Sequence, residues 1–335
     1  MAGDETRTLR IGISACLLGE PVRYDGGHKR DAFLADVLAE HVEWVPVCPE
    51  VELGLGVPRP PMRLARGGRS TTRLVVKETG EDLTARMRAY ATWRARGLAS
   101  LELDGYVLKS KSPSCGLARV PVHDADDDLH GGLTAEDPQT PSPNAVGRGL
   151  FAEALAEALP LIPMEDERRL ARTSVREHFV DRLLAAARWR GFVKRRARAG
   201  DLVAFHAAHK YALLAHSPTH YETLGRLVAT VGRRRLADVV ADYAAAFAAA
   251  YAVPATRGRH VNALEHMASF FTRALSDDQR AELATAIADY RRGATALADP
   301  LALIREHAHR LGVAHLTEQV YLRSRTICLP SRDQG

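Results

Sequence analysis

Cys16, Cys48 and Cys115 are spaced by 32 and 67 residues, a pattern with no meaning as a linear motif. Each falls at the end of a short apolar run, or a few residues beyond it: residues 9–15, 44–48 and 105–110. If those runs are neighbouring parallel strands, the thiols converge outside one carboxyl edge of a sheet, where open α/β sheets bind ligands. Three thiolates leave a four-coordinate metal, or one iron of a cubane cluster, with an open position. Catalytic sites keep such a position and structural sites close it. The residue types leave zinc and iron–sulfur equally open. A single free cysteine is more often a core residue than a ligand, but the surroundings set these three apart. Polar, Gly-rich sequence follows Cys16, a carboxylate (Glu50) stands two residues after Cys48, and KSKSPSCG surrounds Cys115 with Lys109, Lys111, Ser112 and Ser114. Ser- and Gly-rich turns present backbone N–H groups to anions.

Strands must hold those cysteines, and the first half of the chain supplies them. The three apolar runs alternate with helical spacing over residues 29–41, where Phe33, Leu34, Val37 and Leu38 recur, and over 83–97. That alternation predicts an α/β domain with a mainly parallel, Rossmann-like sheet. Residues 124–144 are acidic, aperiodic and rich in Gly and Pro, and read as a loop; a helix over 150–159 closes the domain near residue 170. From about residue 174 the pattern is helical throughout, predicting an all-α bundle. A helix over 201–217 starts at Asp201 and stops before Pro218, and another opens on Ser276, three residues before Gln279, and ends at Gly293. The expected domains are therefore 1–170 and 171–335.

Composition narrows the class. With 46% hydrophobic and 26% charged residues the chain can bury a core, which excludes global disorder. Four cysteines in 335 residues, with no CxxC pair, are not a disulfide framework. No apolar run reaches the length of a membrane span, and the N-terminus lacks a secretory pattern; a cytoplasmic protein with no membrane and no obligate protein partner is expected. The net charge of +5 is unevenly spread. Residues 1–160 hold 19 Lys and Arg against 23 Asp and Glu, a net of −4; residues 161–335 hold 27 against 18, a net of +9. The second half is thus expected to face something anionic. There are 40 Arg and only 6 Lys, so each lysine is informative.

Three blocks carry a resemblance: SACLLGEPVRYDG at 14–26, VCPEVELGLG at 47–56 and KSKSPSCG at 109–116. In that order they resemble the TudS thiouracil desulfidase family. From about residue 175, REHFV at 176–180, FHAAHKYALLAH at 205–216, NALEH at 262–266 and IADYRRG at 287–293 resemble the YbgA-type domain found fused to it. The fused arrangement is similar to RudS-type desulfidases, which act on 4-thiouridine in transfer RNA. The resemblance implies a [4Fe-4S] cluster on Cys16, Cys48 and Cys115, whose open iron takes the thiocarbonyl sulfur. It implies a non-redox conversion of C=S to C=O that releases sulfide. Glu50 and Ser112 then match acid/base positions, while Lys109, Lys111, Ser114, Arg23 and Asp25 are expected to contact substrate. The final block departs from the family by carrying Cys328, which is expected to stay away from the cluster.

In the helical half, His206, His209 and Lys210 fall at i, i+3 and i+4, and Tyr211 follows. Together with Arg195 and Arg196, in a segment with seven Lys and Arg over 182–198, they are expected to form a basic, aromatic face for transfer RNA. Other readings stand beside this one: a desulfidase of free thiouracil or thionucleosides, a redox iron–sulfur enzyme, and a non-catalytic RNA-binding module with a structural metal.

Overall fold

The computed structural model describes residues 8–67, 71–123, 145–195 and 198–323. Cys328, Arg196 and the acidic segment 124–144 lie outside them. Two compact units divide the chain between Leu183 and Leu184, inside one helix.

The first unit holds two four-stranded sheets. Strands β1 (Leu9–Ser14), β2 (Val42–Val47), β5 (Gly105–Leu108) and β8 (Met164–Asp166) form an all-parallel sheet in the order β2-β1-β5-β8. β1 and β5 are buried almost throughout, as expected for strands covered on both faces. From β1 the chain builds β2 on one side and β5 on the other, so strand order reverses there. A crevice opens at such a reversal, outside the carboxyl ends. Register then fixes the neighbours. Ser14 pairs with Val47, which brings Cys16 and Cys48 just past adjacent strand ends, and Leu108 pairs with Asp166, which brings Lys109 beside Glu167.

The second sheet is mixed and was not expected from the sequence. It comprises β3 (Met62–Arg66), β4 (Thr72–Val76), β6 (Val120–His123) and β7 (Ala145–Gly147) in the order β4-β3-β6-β7. Its core of Leu64, Leu74, Val76, Val120 and Val122 packs with Leu83 and Met87, at and just inside the start of α2 (Thr84–Ala99). Residues 29–41 also differ from expectation. They form a single wide turn over Phe33–Val37 and a tight one over Leu38–Glu40, not an α-helix. The apolar spacing there records that Leu34 and Leu38 enter the core, and so short a segment has no propagating turns to enforce regularity.

Helix α3 (Leu150–Ala158) anchors the loop that carries Cys115. The backbone N–H of Leu150 donates to Pro113 O, and those of Phe151 and Ala152 donate to Ser114 O. Donors that a helix start leaves without intrahelical partners are thereby satisfied by the loop. The approach depends on Gly149, where a Cβ atom would lie 2.4 Å from Ser114 O.

The second unit is helical. It runs from the latter part of α5 (Thr173–Lys194) through α6 (Ala199–Ala208), α7 (Lys210–His216), α8 (Pro218–Val228), α9 (Leu236–Ala252), α10 (Arg257–Ala268), α11 (Asp277–Arg292), α12 (Ala298–Arg310) and the short α13 (Ala314–Thr317). Ser276 and Gln279 close a reciprocal cap on α11, and Gly293 ends it with φ 81°. The helix expected over 201–217 is broken: α6 ends at Ala208 and α7 starts at Lys210, with His209 at φ −95°, ψ 1°. Phe205 O is shared at the break, lying 2.7 Å from the imidazole Nδ1 of His209 and accepting its backbone N–H at 3.2 Å. Among the described residues no single helix is long and apolar enough to cross a membrane.

Candidate active site

One cavity of about 320 Å³ opens at the carboxyl edge of the parallel sheet. Cys16, Cys48 and Cys115 all line it, together with Glu50, Arg23, Lys109, Lys111 and Ser112. Eight of the ten first-domain positions singled out from the sequence therefore meet in one place.

Each thiol is held differently. Cys16 is buried just past β1; burial pushes its thiol up to about 11, against the pull of Lys109 and Arg23. Cys48 caps the short helix α1 (Pro49–Glu52) and donates to Val22 O at 3.6 Å. Burial raises its thiol too, while the N–H groups of Val51 and Glu50 pull it down. Cys115 is driven well above the ordinary thiol range by burial, with a hydrogen bond to Ser14 opposing. Burial thus favours the neutral thiol at all three, and a metal held by them would have to displace their protons. Among the described residues no three His, Cys, Asp or Glu side chains form a group for a single metal ion. An all-sulfur donor set spread around a cavity suits a polynuclear iron–sulfur group better than one hard cation.

Glu50 faces the cavity with its carboxylate fixed on both oxygens. Oε1 accepts from Ser114 Oγ at 3.0 Å; Oε2 accepts from Arg59 Nη2 at 2.5 Å and Nε at 3.1 Å. The Arg59 side chain is only 3% exposed and also donates to Val22 O and Gly56 O. Nothing in the PRPP context of Arg59 marked it out; only its burial beside Glu50 does. Ser112 Oγ accepts from the N–H groups of Ser114 at 3.2 Å and Cys115 at 3.0 Å. It thus shapes the cysteine loop from the cavity wall.

A second, partly buried pair also escaped the sequence reading. Glu167 receives Lys109 Nζ at 2.6 Å, Ser110 Oγ at 2.5 Å and Ser110 N at 2.8 Å. Burial raises the Glu167 carboxyl, but the bonds from Lys109 and Ser110 outweigh it and hold the carboxyl below its ordinary range. Lys109 is thereby fixed rather than free to sweep the cavity.

Two expected substrate contacts do not line the cavity. Ser114 is fully buried behind Glu50. Asp25 accepts from Gly27 N at 3.0 Å and pairs with Arg23 at 3.4 Å, so it shapes the loop.

The expected RNA face is corrected more severely. His209 is buried, and burial, with Arg188 adding to it, pushes its imidazole down to about 3. Tyr211 is fully buried in the helical core. Neither can stack on a base. His206 is half-buried, its ring stacked 5.1 Å from that of Tyr221 and its Nδ1 3.2 Å from Tyr243 OH. The helix break at His209 also dissolves the shared i, i+3, i+4 face. Lys210 lies 5.2 Å from the Tyr211 ring, and Arg195 is exposed.

Comparison with known proteins agrees with this two-part construction. The family described as 2-thiouracil desulfurase matches residues 11–167, and the family of unknown function DUF1722 matches residues 210–324. The uncharacterized protein YbgA of Escherichia coli (strain K12) is 32% identical over 123 residues, covering 36% of this chain and 73% of that protein. Among solved structures, a [4Fe-4S]-dependent thiouracil desulfidase, TudS, is 30% identical over 49% of this chain and 93% of its own, with a TM-score of 0.37. By its cysteine-bearing first domain the chain belongs to the 2-thiouracil desulfurase family of enzymes, joined to a second domain of the YbgA kind.

Proposed function

We propose that the chain removes sulfur from thiolated uracil without net redox change, acting on 4-thiouridine in transfer RNA. The observation that carries this reading is the single cavity shared by Cys16, Cys48, Cys115 and the Arg59-held Glu50. The three cysteines would hold a [4Fe-4S] cluster, which would supply a thiophilic Lewis acid for the C=S group; the similar TudS protein is [4Fe-4S]-dependent.

The protein's own groups perform the hydrolysis. Glu50 takes a proton from water as the oxygen adds to the thiocarbonyl carbon. The C–S bond then breaks, sulfur leaves as HS⁻, and the proton passes from Glu50 to solvent. The balance is C=S plus H₂O giving C=O plus HS⁻ and H⁺. Arg59 and Ser114 hold the carboxylate in place, so no reorganisation is needed at the moment of attack. Ser112 orients the incoming water, or relays a proton, through hydrogen bonds of its hydroxyl. Lys109, fixed by Glu167, and Arg23 offset negative charge beside Cys16.

Transfer RNA as substrate is supported by the net +9 of residues 161–335 and by exposed cations such as Arg195. The test is anaerobic incubation of the full-length protein with 4-thiouridine-containing transfer RNA, measuring sulfide. Sulfide release that disappears on Cys→Ala substitution at 16, 48 or 115, together with the iron, is the expected result. Release only from free thiouracil would restrict the reading to small substrates.

A further inference from the structure

The lysines are distributed in a way that desulfuration of a bare base does not require. Only 6 of the chain's 46 Lys and Arg are lysines, yet Lys29, Lys77, Lys109 and Lys111 all line the cavity that holds the three cysteines. Glu50 is the only carboxylate in the described lining, and Arg59 neutralises it. Lys109 is likewise matched by Glu167. Lys29, Lys77 and Lys111 are exposed, and no described side chain pairs with any of the three. They come from separate elements: the loop after Cys16, the end of β4 and the cysteine loop. Lys111 sits at φ 60°, a left-handed conformation costly for a side chain of its size. A cavity with buried thiols at its base and unpaired ammonium groups at its rim has the polarity of a nucleotide standing on its base.

We infer that Lys29, Lys77 and Lys111 form a phosphate-binding rim, which takes the phosphate attached to the target thiouridine while its base reaches the thiols. Given the desulfuration proposed above, this places part of the nucleic-acid recognition in the first domain, not only in the basic helical one. Ammonium groups act as point charges on phosphate and need no fixed fork geometry, which suits a rim open to solvent. The phosphate has two possible sources, the 5′ group of a mononucleotide or the backbone of an RNA strand.

The test uses the full-length, anaerobically purified protein with Lys29→Gln, Lys77→Gln and the double variant. Sulfide release is compared for 4-thiouracil, 4-thiouridine 5′-monophosphate and thiolated transfer RNA. Calorimetric binding of uridine 5′-monophosphate gives a readout independent of turnover. The double variant should lower the ratio of kcat/KM for phosphate-bearing substrate to that for free base by roughly tenfold, about the effect of 1.4 kcal/mol. Lys77→Arg should restore most of it. If the backbone is the source, the salt dependence of transfer-RNA binding should fall by about one log unit of slope per lysine removed. If a terminal phosphate is the source, the monophosphate alone should be affected. An equal loss on free base and nucleotide, or a ratio and salt slope that do not move, overturns the rim. If uridine monophosphate binding depends on these lysines while no thiolated pyrimidine yields sulfide, the rim stands and the desulfuration reading falls.

Discussion

Replacing Arg59 with methionine tests whether the buried ion pair organises the site. The guanidinium makes two bonds to Glu50 Oε2 and one each to the carbonyls of Val22 and Gly56, with 3% of its side chain exposed. Methionine fills most of that volume but supplies no donor. Removing one partner of a buried pair typically costs about 3–5 kcal/mol, because the other charge stays desolvated. Glu50 keeps the Ser114 hydroxyl, and its side chain is 14% exposed, so the lower end, about 3 kcal/mol, is expected. That is a large part of a domain stability of roughly 5–15 kcal/mol. Hydrogen exchange of peptides from residues 8–183 reports the first unit separately from the helical one. A cycle with Glu50→Gln should show a coupling of about 1–3 kcal/mol. In kcat the double variant should be little worse than the poorer single one, since both act through the same carboxylate. An Arg59→Met protein within about 0.5 kcal/mol of the parent, or losses in kcat that multiply, would refute this account.

Other outcomes follow from the same geometry. Glu50→Gln should retain iron and substrate binding but lose roughly 10²–10⁴ in kcat, checked by single-turnover sulfide release. Gly149→Ala drives a methyl into Ser114 O, and should destabilise the first unit by about 1–3 kcal/mol and lower the iron content through the displaced Cys115 loop. His209, pushed down to about 3 when folded against 6.5 for a free imidazole, binds a proton only on unfolding over that range. Its stability contribution is therefore complete above about pH 6.5 and lost as pH falls toward 3, and His209→Gln should flatten that part of the unfolding profile. Arg195→Glu should weaken transfer-RNA binding and its salt dependence while sparing turnover of free thiouridine, measured by filter binding.

The first domain was legible because its chemistry sits where its pattern changes. Apolar runs ending in cysteine mark strand ends, and parallel pairing of Ser14 with Val47 does the rest. The second sheet was not legible, because its strands are three to five residues long and β6 contains Pro121. Arg59 was invisible in a chain with 40 arginines, since burial, and not residue type, gives it its role. The helical domain misled through His209 and Tyr211. Periodicity placed them on a polar-aromatic face, but His209 spends its ring on the Phe205 carbonyl and Tyr211 enters the core. Aromatic and imidazole side chains serve a core as readily as a ligand, and sequence does not separate the two uses.

The docking of α3 on the cysteine loop bears on how the protein is made. The loop bearing Cys115 is held from within by Ser112 Oγ and from the site by Glu50, but the carbonyls of Pro113 and Ser114 find their donors only in residues 150–152, well downstream in the chain. A chain still emerging from the ribosome therefore completes the support of that loop only when α3 has followed it out. If the three cysteines are the ligands proposed above, a metal delivered sooner would meet a Cys115 loop not yet fully held, and insertion is expected to follow folding of the first domain. Maturation factors would then recognise a folded surface, and not a nascent strand.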